Sequence, residues 1–84
     1  MTPTEEIPAR LREILAQLLG VSPDGIGPGF SAESAPEWTS LNHLMLISQL
    51  ESEFGVFFTN QEVQQLTSFD RIVVALVGRN QAGG

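Results

Sequence analysis

Only one run in the chain could form a strand, Val56-Phe57-Phe58. Three residues with no second run to pair with cannot build a sheet. Elsewhere the apolar residues recur at three- and four-residue intervals, the spacing of one face of a helix. The chain is therefore restricted to packed helices, with Val56–Phe58 expected as an extended loop that plugs their core. At 84 residues, such helices make one small domain spanning 1–84.

Three periodic segments carry this pattern. In the first, Ile7, Leu11, Ile14, Leu15, Leu18 and Leu19 form one stripe that stops at Gly20. Thr2-Pro3 reads as a cap followed by proline at the first helical position, with Glu5 and Glu6 in the first turn. Pro8 either falls in that turn or moves the start later. The second segment, Thr39–Phe54, has Thr39 as cap and Gly55 as terminator. Its Leu44, Ile47, Leu50, Glu51 and Phe54 fall on one line, widened by Leu46. Thr59-Asn60-Gln61-Glu62 is a capping box that opens a short helix over 60–65. Ser68 or Thr67 then caps a last helix with the stripe Phe69, Ile72, Val73, Leu76 and Val77, ending at Gly78.

Residues 21–38 are dense in glycine and proline and hold no period, so they form a long loop. Ile26 and Phe30 are its apolar pins, and a helical turn is expected near Ser31–Ser34. Gly25, Gly27 and Gly29 follow no strand and make no phosphate loop. The expectation is an all-α, small four-helix bundle: three longer helices, a short third helix and a long first loop. Its ordered core spans about 4–78, with a flexible tail at 79–84.

Charge narrows the possible partners. Net charge is −6, from ten carboxylates, four arginines and no lysine. Between Arg12 and Arg71 lie eight carboxylates and no basic side chain. Nucleic acids and anionic membranes are disfavoured by that balance, and a partner with a basic docking surface is favoured. No apolar run reaches the length of a membrane span, and the N-terminal residues lack the apolar stretch of a signal peptide. A cytoplasmic monomer is expected.

Catalysis finds little support. There is no cysteine, so no thiolate chemistry or Cys-based zinc site. The single histidine, His43, is three residues from Ser40 on one helix, with no acid to orient it. His43 is read as a surface or half-buried packing residue. Glu51 and Glu53 differ by two positions and diverge on a helix. No catalytic or metal-binding residue is expected.

Ser40 is different. It stands at a helix entrance after a long loop, where backbone N–H groups lack helical partners and favour a phosphate. On position alone, Thr39 and Ser40 are better read as caps of the helix. The wider pattern is more specific. Glu37-Trp38-Thr39-Ser40-Leu41, then Leu50-Glu51-Ser52-Glu53-Phe54, resembles the acyl carrier protein family. That family opens its second helix with Asp-Ser-Leu and closes it with an LE-x-EF pattern. The likeness in motif, helix count and loop lengths covers residues 5–78.

The resemblance implies that Ser40 carries 4′-phosphopantetheine, transferred from coenzyme A by a phosphopantetheinyl transferase. The arm would hold acyl or polyketide-type intermediates as thioesters and pass them between biosynthetic enzymes. Its partners would be a loading enzyme, synthase or transferase. Trp38, Thr39, Leu41, Met45, Glu51, Glu53 and Glu62 would be the residues recognised. For Trp38, anchoring the loop to the bundle is the simpler role, and the glutamates also fit a solvated face. Two positions depart from the family: Thr39 replaces aspartate, and Met45 replaces an acidic residue. Alternatives within reach are a peptidyl (aminoacyl) carrier and an unmodified carrier-like scaffold.

Overall fold

Pro8 decides where the first helix begins. In the computed structural model, which describes residues 6–82 and side chains through 79, α1 spans Ile7–Leu19 with Pro8 in its first turn. Proline is tolerated there because its missing N–H has no helical acceptor to lose. Among the described residues the helix therefore starts at Ile7. Glu6 precedes the helix without a side-chain capping bond, and Thr2, Pro3 and Glu5 lie outside the described residues. Gly20 closes α1 at φ 71°, with its N–H on the Ala16 carbonyl.

The remaining helices are α2 (Ser40–Phe54), α3 (Asn60–Gln65) and α4 (Phe69–Ala82). α1 packs against both α2 and α4. Ile7, Leu11, Leu15, Leu46, Leu50, Ile72 and Leu76 are almost wholly buried between them. The described residues contain no strand beyond one isolated bridge. The all-α, four-helix architecture with a long first loop is as expected. Val56–Phe58 lies outside any helix or strand, with Val56 and Phe58 against the core and Phe57 85% exposed.

The long loop is held at three levels. Pro23–Gly25 forms a 3₁₀ turn, and Arg12 Nε donates to the Ile26 carbonyl at 2.9 Å. Ile26 is buried, and Phe30 is half-buried against the core. The N–H of Ala32 reaches the Thr67 carbonyl at 2.9 Å, and that of Phe69 reaches Phe30 at 2.9 Å. This bridge ties the loop to the start of α4. The turn at 31–34 closes through Ser34 N–H on the Ser31 carbonyl, 3.1 Å.

Two expectations are corrected. Leu44 falls on the apolar line of α2 by spacing, yet it is 61% exposed. The inward residues are Leu46, Ile47 and Leu50, which join the core that α2 shares with α1. Gly78 does not end the last helix, which continues to Ala82. Gly78 has no left-handed φ, and a glycine in helical conformation weakens a helix without breaking it. Arg79 anchors the extra turn, its Nε donating to the Phe57 carbonyl at 3.2 Å. Residues 79–82 therefore belong to the helix, and 83–84 lie outside the described residues.

Candidate functional site

The entrance of α2 is built from its cap outward. Thr39 sits in extended conformation, and its Oγ1 accepts from the Asn42 N–H at 3.2 Å. Its carbonyl accepts from the His43 N–H at 2.8 Å. Ser40 is the first helical residue and is exposed. The cap falls to Thr39, so the Ser40 hydroxyl is left uncommitted. Asn42 Nδ2 donates back to the Glu37 carbonyl at 2.8 Å, and the Thr39 N–H donates to the same oxygen at 3.0 Å. These bonds fix the approach of the loop to the serine.

Behind the serine, Trp38 is buried at 6% exposure and stacks on Phe30 at 5.9 Å between centroids. Its Nε1–H donates to His43 Nδ1 at 3.0 Å, while His43 Nε2 meets the Val63 carbonyl at 2.6 Å. The indole can only donate and the carbonyl can only accept. His43 must then be the neutral Nε2–H tautomer. One imidazole thus joins the loop before Ser40, helix α2 and helix α3. Trp38 takes the anchoring role and presents no open face to a partner. His43 is half-buried, as expected for a packing residue. Its joining role was missed, although its spacing from Leu46, Ile47 and Leu50 places it on the inner face of α2.

The three glutamates named for partner recognition all have internal partners. Glu51 Oε2 accepts from the Phe58 N–H at 2.9 Å, holding that loop. Glu53 Oε1 accepts from Arg10 Nε at 2.6 Å and also from Nη2. Glu62 closes the capping box, accepting from the Thr59 N–H at 2.9 Å, and pairs with Arg79. The Thr59 backbone N–H, and then Arg79, hold the Glu62 carboxyl below its usual value. In contrast, Leu41 at 68% and Met45 at 49% stand free on α2.

No group of three or more metal-ligating side chains occurs among the described residues, and no described helix is long and apolar enough to cross a membrane. What the site offers chemically is an exposed primary hydroxyl on a rigid helix entrance. No protein-family model matches the chain. It is similar to the acyl carrier protein of Rubrobacter xylanophilus, with 32% identity over 78 residues, covering 93% of this chain and 96% of that protein.

Proposed function

Because the chain belongs to the acyl carrier protein family, we propose that it is a discrete carrier whose attachment residue is Ser40. Acyl carrier proteins are non-catalytic and bear a 4′-phosphopantetheine group; their partners are phosphopantetheinyl transferases and synthases. When attached, that group supplies the terminal thiol on which an acyl chain rides as a thioester.

The single observation behind Ser40 is its free hydroxyl at the start of α2, exposed while Thr39 does the capping. An esterified phosphate fits there. It would lie at the end of a 15-residue helix whose first N–H groups carry positive partial charge. The chain's own residues orient the hydroxyl: Thr39 and Asn42 fix the backbone, and the Trp38–His43 pair braces it from behind.

Thr39 and the Leu41–Met45 side of α2 are the residues we assign to contact with partner enzymes. The cargo we favour is an acyl chain of polyketide type rather than an aminoacyl group. Thr39-Ser40-Leu41 in place of Asp-Ser-Leu supports a specialised pathway over housekeeping fatty-acid synthesis. The same threonine also favours a second reading, a carrier-like scaffold that binds a synthase without cargo.

The test is intact mass after incubation with coenzyme A, magnesium and a broad-specificity phosphopantetheinyl transferase, beside Ser40→Ala. A phosphopantetheine increment on the wild type alone supports the carrier. No increment with that enzyme or with one from the native host favours the scaffold.

A further inference from the structure

We propose that His43 is a proton-operated latch on the loop that delivers Ser40: a proton on Nδ1 releases Trp38, while the bond from Nε2 to Val63 holds. The latch stands on the two bonds of the ring. Its effect on modification rests on Ser40 being the attachment residue.

The two ring nitrogens are committed in opposite senses. Nδ1 accepts from the Trp38 indole at 3.0 Å, and Nε2–H donates to the Val63 carbonyl at 2.6 Å. Neither partner can reverse its role, since the indole only donates and the carbonyl only accepts. A proton taken from water onto the Nδ1 lone pair turns that nitrogen into a second donor. Two N–H groups then face each other across the same gap, and the indole must withdraw. The Val63 bond is made by a donor in both states and survives. The imidazole therefore stays with α3 and lets go of the loop.

What it lets go is the residue two positions before the serine. Trp38 also stacks on Phe30, and its backbone N–H donates to the Ala35 carbonyl at 3.0 Å. Both of those contacts lie within the loop. Asn42 still holds the Glu37 carbonyl, so the release is local to the indole and the backbone between it and Ser40. An unpaired buried N–H shifts the balance between seated and released indole by about tenfold.

No charged group takes over the part of the indole. The loop carries Asp24, Glu33 and Glu37, α2 carries Glu51 and Glu53, and α3 carries Glu62. Glu51 holds the Phe58 N–H, Glu53 pairs with Arg10, and Glu62 pairs with Arg79. Arg71, at the start of α4, reaches the Gln65 carbonyl. Among the described residues none of these side chains bonds or pairs with the imidazole. His43 also lies in the first turn of α2, whose positive end opposes a cation. A protonated ring thus gains nothing that would keep the loop seated.

The experiment titrates the full chain from about pH 8 to about pH 5, the range in which histidine takes up its proton. It follows the emission of the single tryptophan, the ring proton shifts of the single histidine, and the rate of mass gain from coenzyme A with a broad-specificity phosphopantetheinyl transferase. In wild type, emission should move to longer wavelength with the same midpoint as the ring shifts. His43→Gln keeps an acceptor and a donor but cannot take the proton, so its emission should stay flat. Dividing the wild-type rate by the His43→Gln rate at each pH cancels the pH dependence of the transferase itself. That ratio should fall about threefold or more through the midpoint, because a serine held less firmly spends less time in the reacting geometry. Trp38→Phe removes the indole N–H, and its rate should lack the extra fall that wild type shows in acid; this second variant decides the point if His43→Gln does not fold. Emission that stays flat while the ring titrates, or that still shifts in His43→Gln, would overturn the latch. A constant rate ratio would overturn its effect on modification while leaving Ser40 as the attachment residue. If wild type gains no mass at any pH, the Ser40 reading fails, and emission against ring shifts still decides the latch.

Discussion

The indole N–H of Trp38 donates to Nδ1 of His43 at 3.0 Å, and this bond selects the tautomer of the imidazole. With Nδ1 accepting, the proton resides on Nε2 and points to the Val63 carbonyl. Nitrogen-15 shifts of the single histidine should report the Nε2–H tautomer at neutral pH. An Nδ1–H tautomer would mean that the Trp38 contact is not made. His43→Phe keeps the ring but leaves the buried indole N–H unpaired. It should cost about 1–3 kcal/mol in urea melts and alter the emission of the chain's single tryptophan. A variant as stable as wild type would show that the imidazole braces nothing.

Thr39 and Ser40 are adjacent but divide their work. Thr39 Oγ1 satisfies the Asn42 N–H, so Thr39→Ala should lower stability by about 1 kcal/mol. Ser40→Ala should remove modification and leave stability within about 0.5 kcal/mol. Chemical denaturation of both variants, read beside intact mass, separates the two roles. A large stability loss in Ser40→Ala would make the serine structural. Thr39→Asp keeps a capping oxygen, so its fold should be unchanged. If the lost carboxylate limits modification, that variant should be modified faster.

Local signals carried most of what was legible in the sequence. Capping depends on a few neighbouring residues, so Thr39, the Thr59–Glu62 box and the Gly20 and Gly55 terminators could all be read without the fold. Helical period located the stripes, because burial follows the turn of the helix. The failures are tertiary. Leu44 lies on a line that periodicity alone made apolar, but the buried face of α2, which packs against α1, runs along the neighbouring Leu46–Leu50 line. The internal partners of Glu53 and Glu62 lie 43 and 17 residues away in sequence. No spacing rule pairs Arg10 with Glu53. The bracing role of His43 needed Val63, 20 residues on, to come within reach.

Glu62 gives the fold a defined acid response. Its carboxyl is held below the ordinary value of 4.5, first by the Thr59 backbone N–H and then by Arg79. The folded state therefore favours the charged form. That stabilisation is complete above the unfolded value and drains away as pH falls through the lowered folded value. Glu62→Gln should be less stable than wild type at neutral pH, with the two curves converging in acid. The check is denaturant midpoint against pH. A difference that stays constant down to the acid end would assign the effect to packing and not to the charge.

Gly55 and Gly78 should respond to alanine with opposite signs. Both have open space where a Cβ would go, with nothing within 4 Å, so sterics with neighbours do not decide the outcome. Backbone conformation does. Gly55 sits at φ 65° and ends α2 with its N–H on the Glu51 carbonyl. An alanine there must adopt the left-handed region, which costs about 1–2 kcal/mol. Gly78 lies within α4 and has no positive φ. Alanine there restricts the unfolded chain and suits the helix, stabilising by about 0.5–1 kcal/mol. Thermal melts of Gly55→Ala and Gly78→Ala should move down and up respectively. If Gly78→Ala also melted lower, the last turn of α4 would not be helical in solution, and the helix would end at Gly78 as its sequence first suggests.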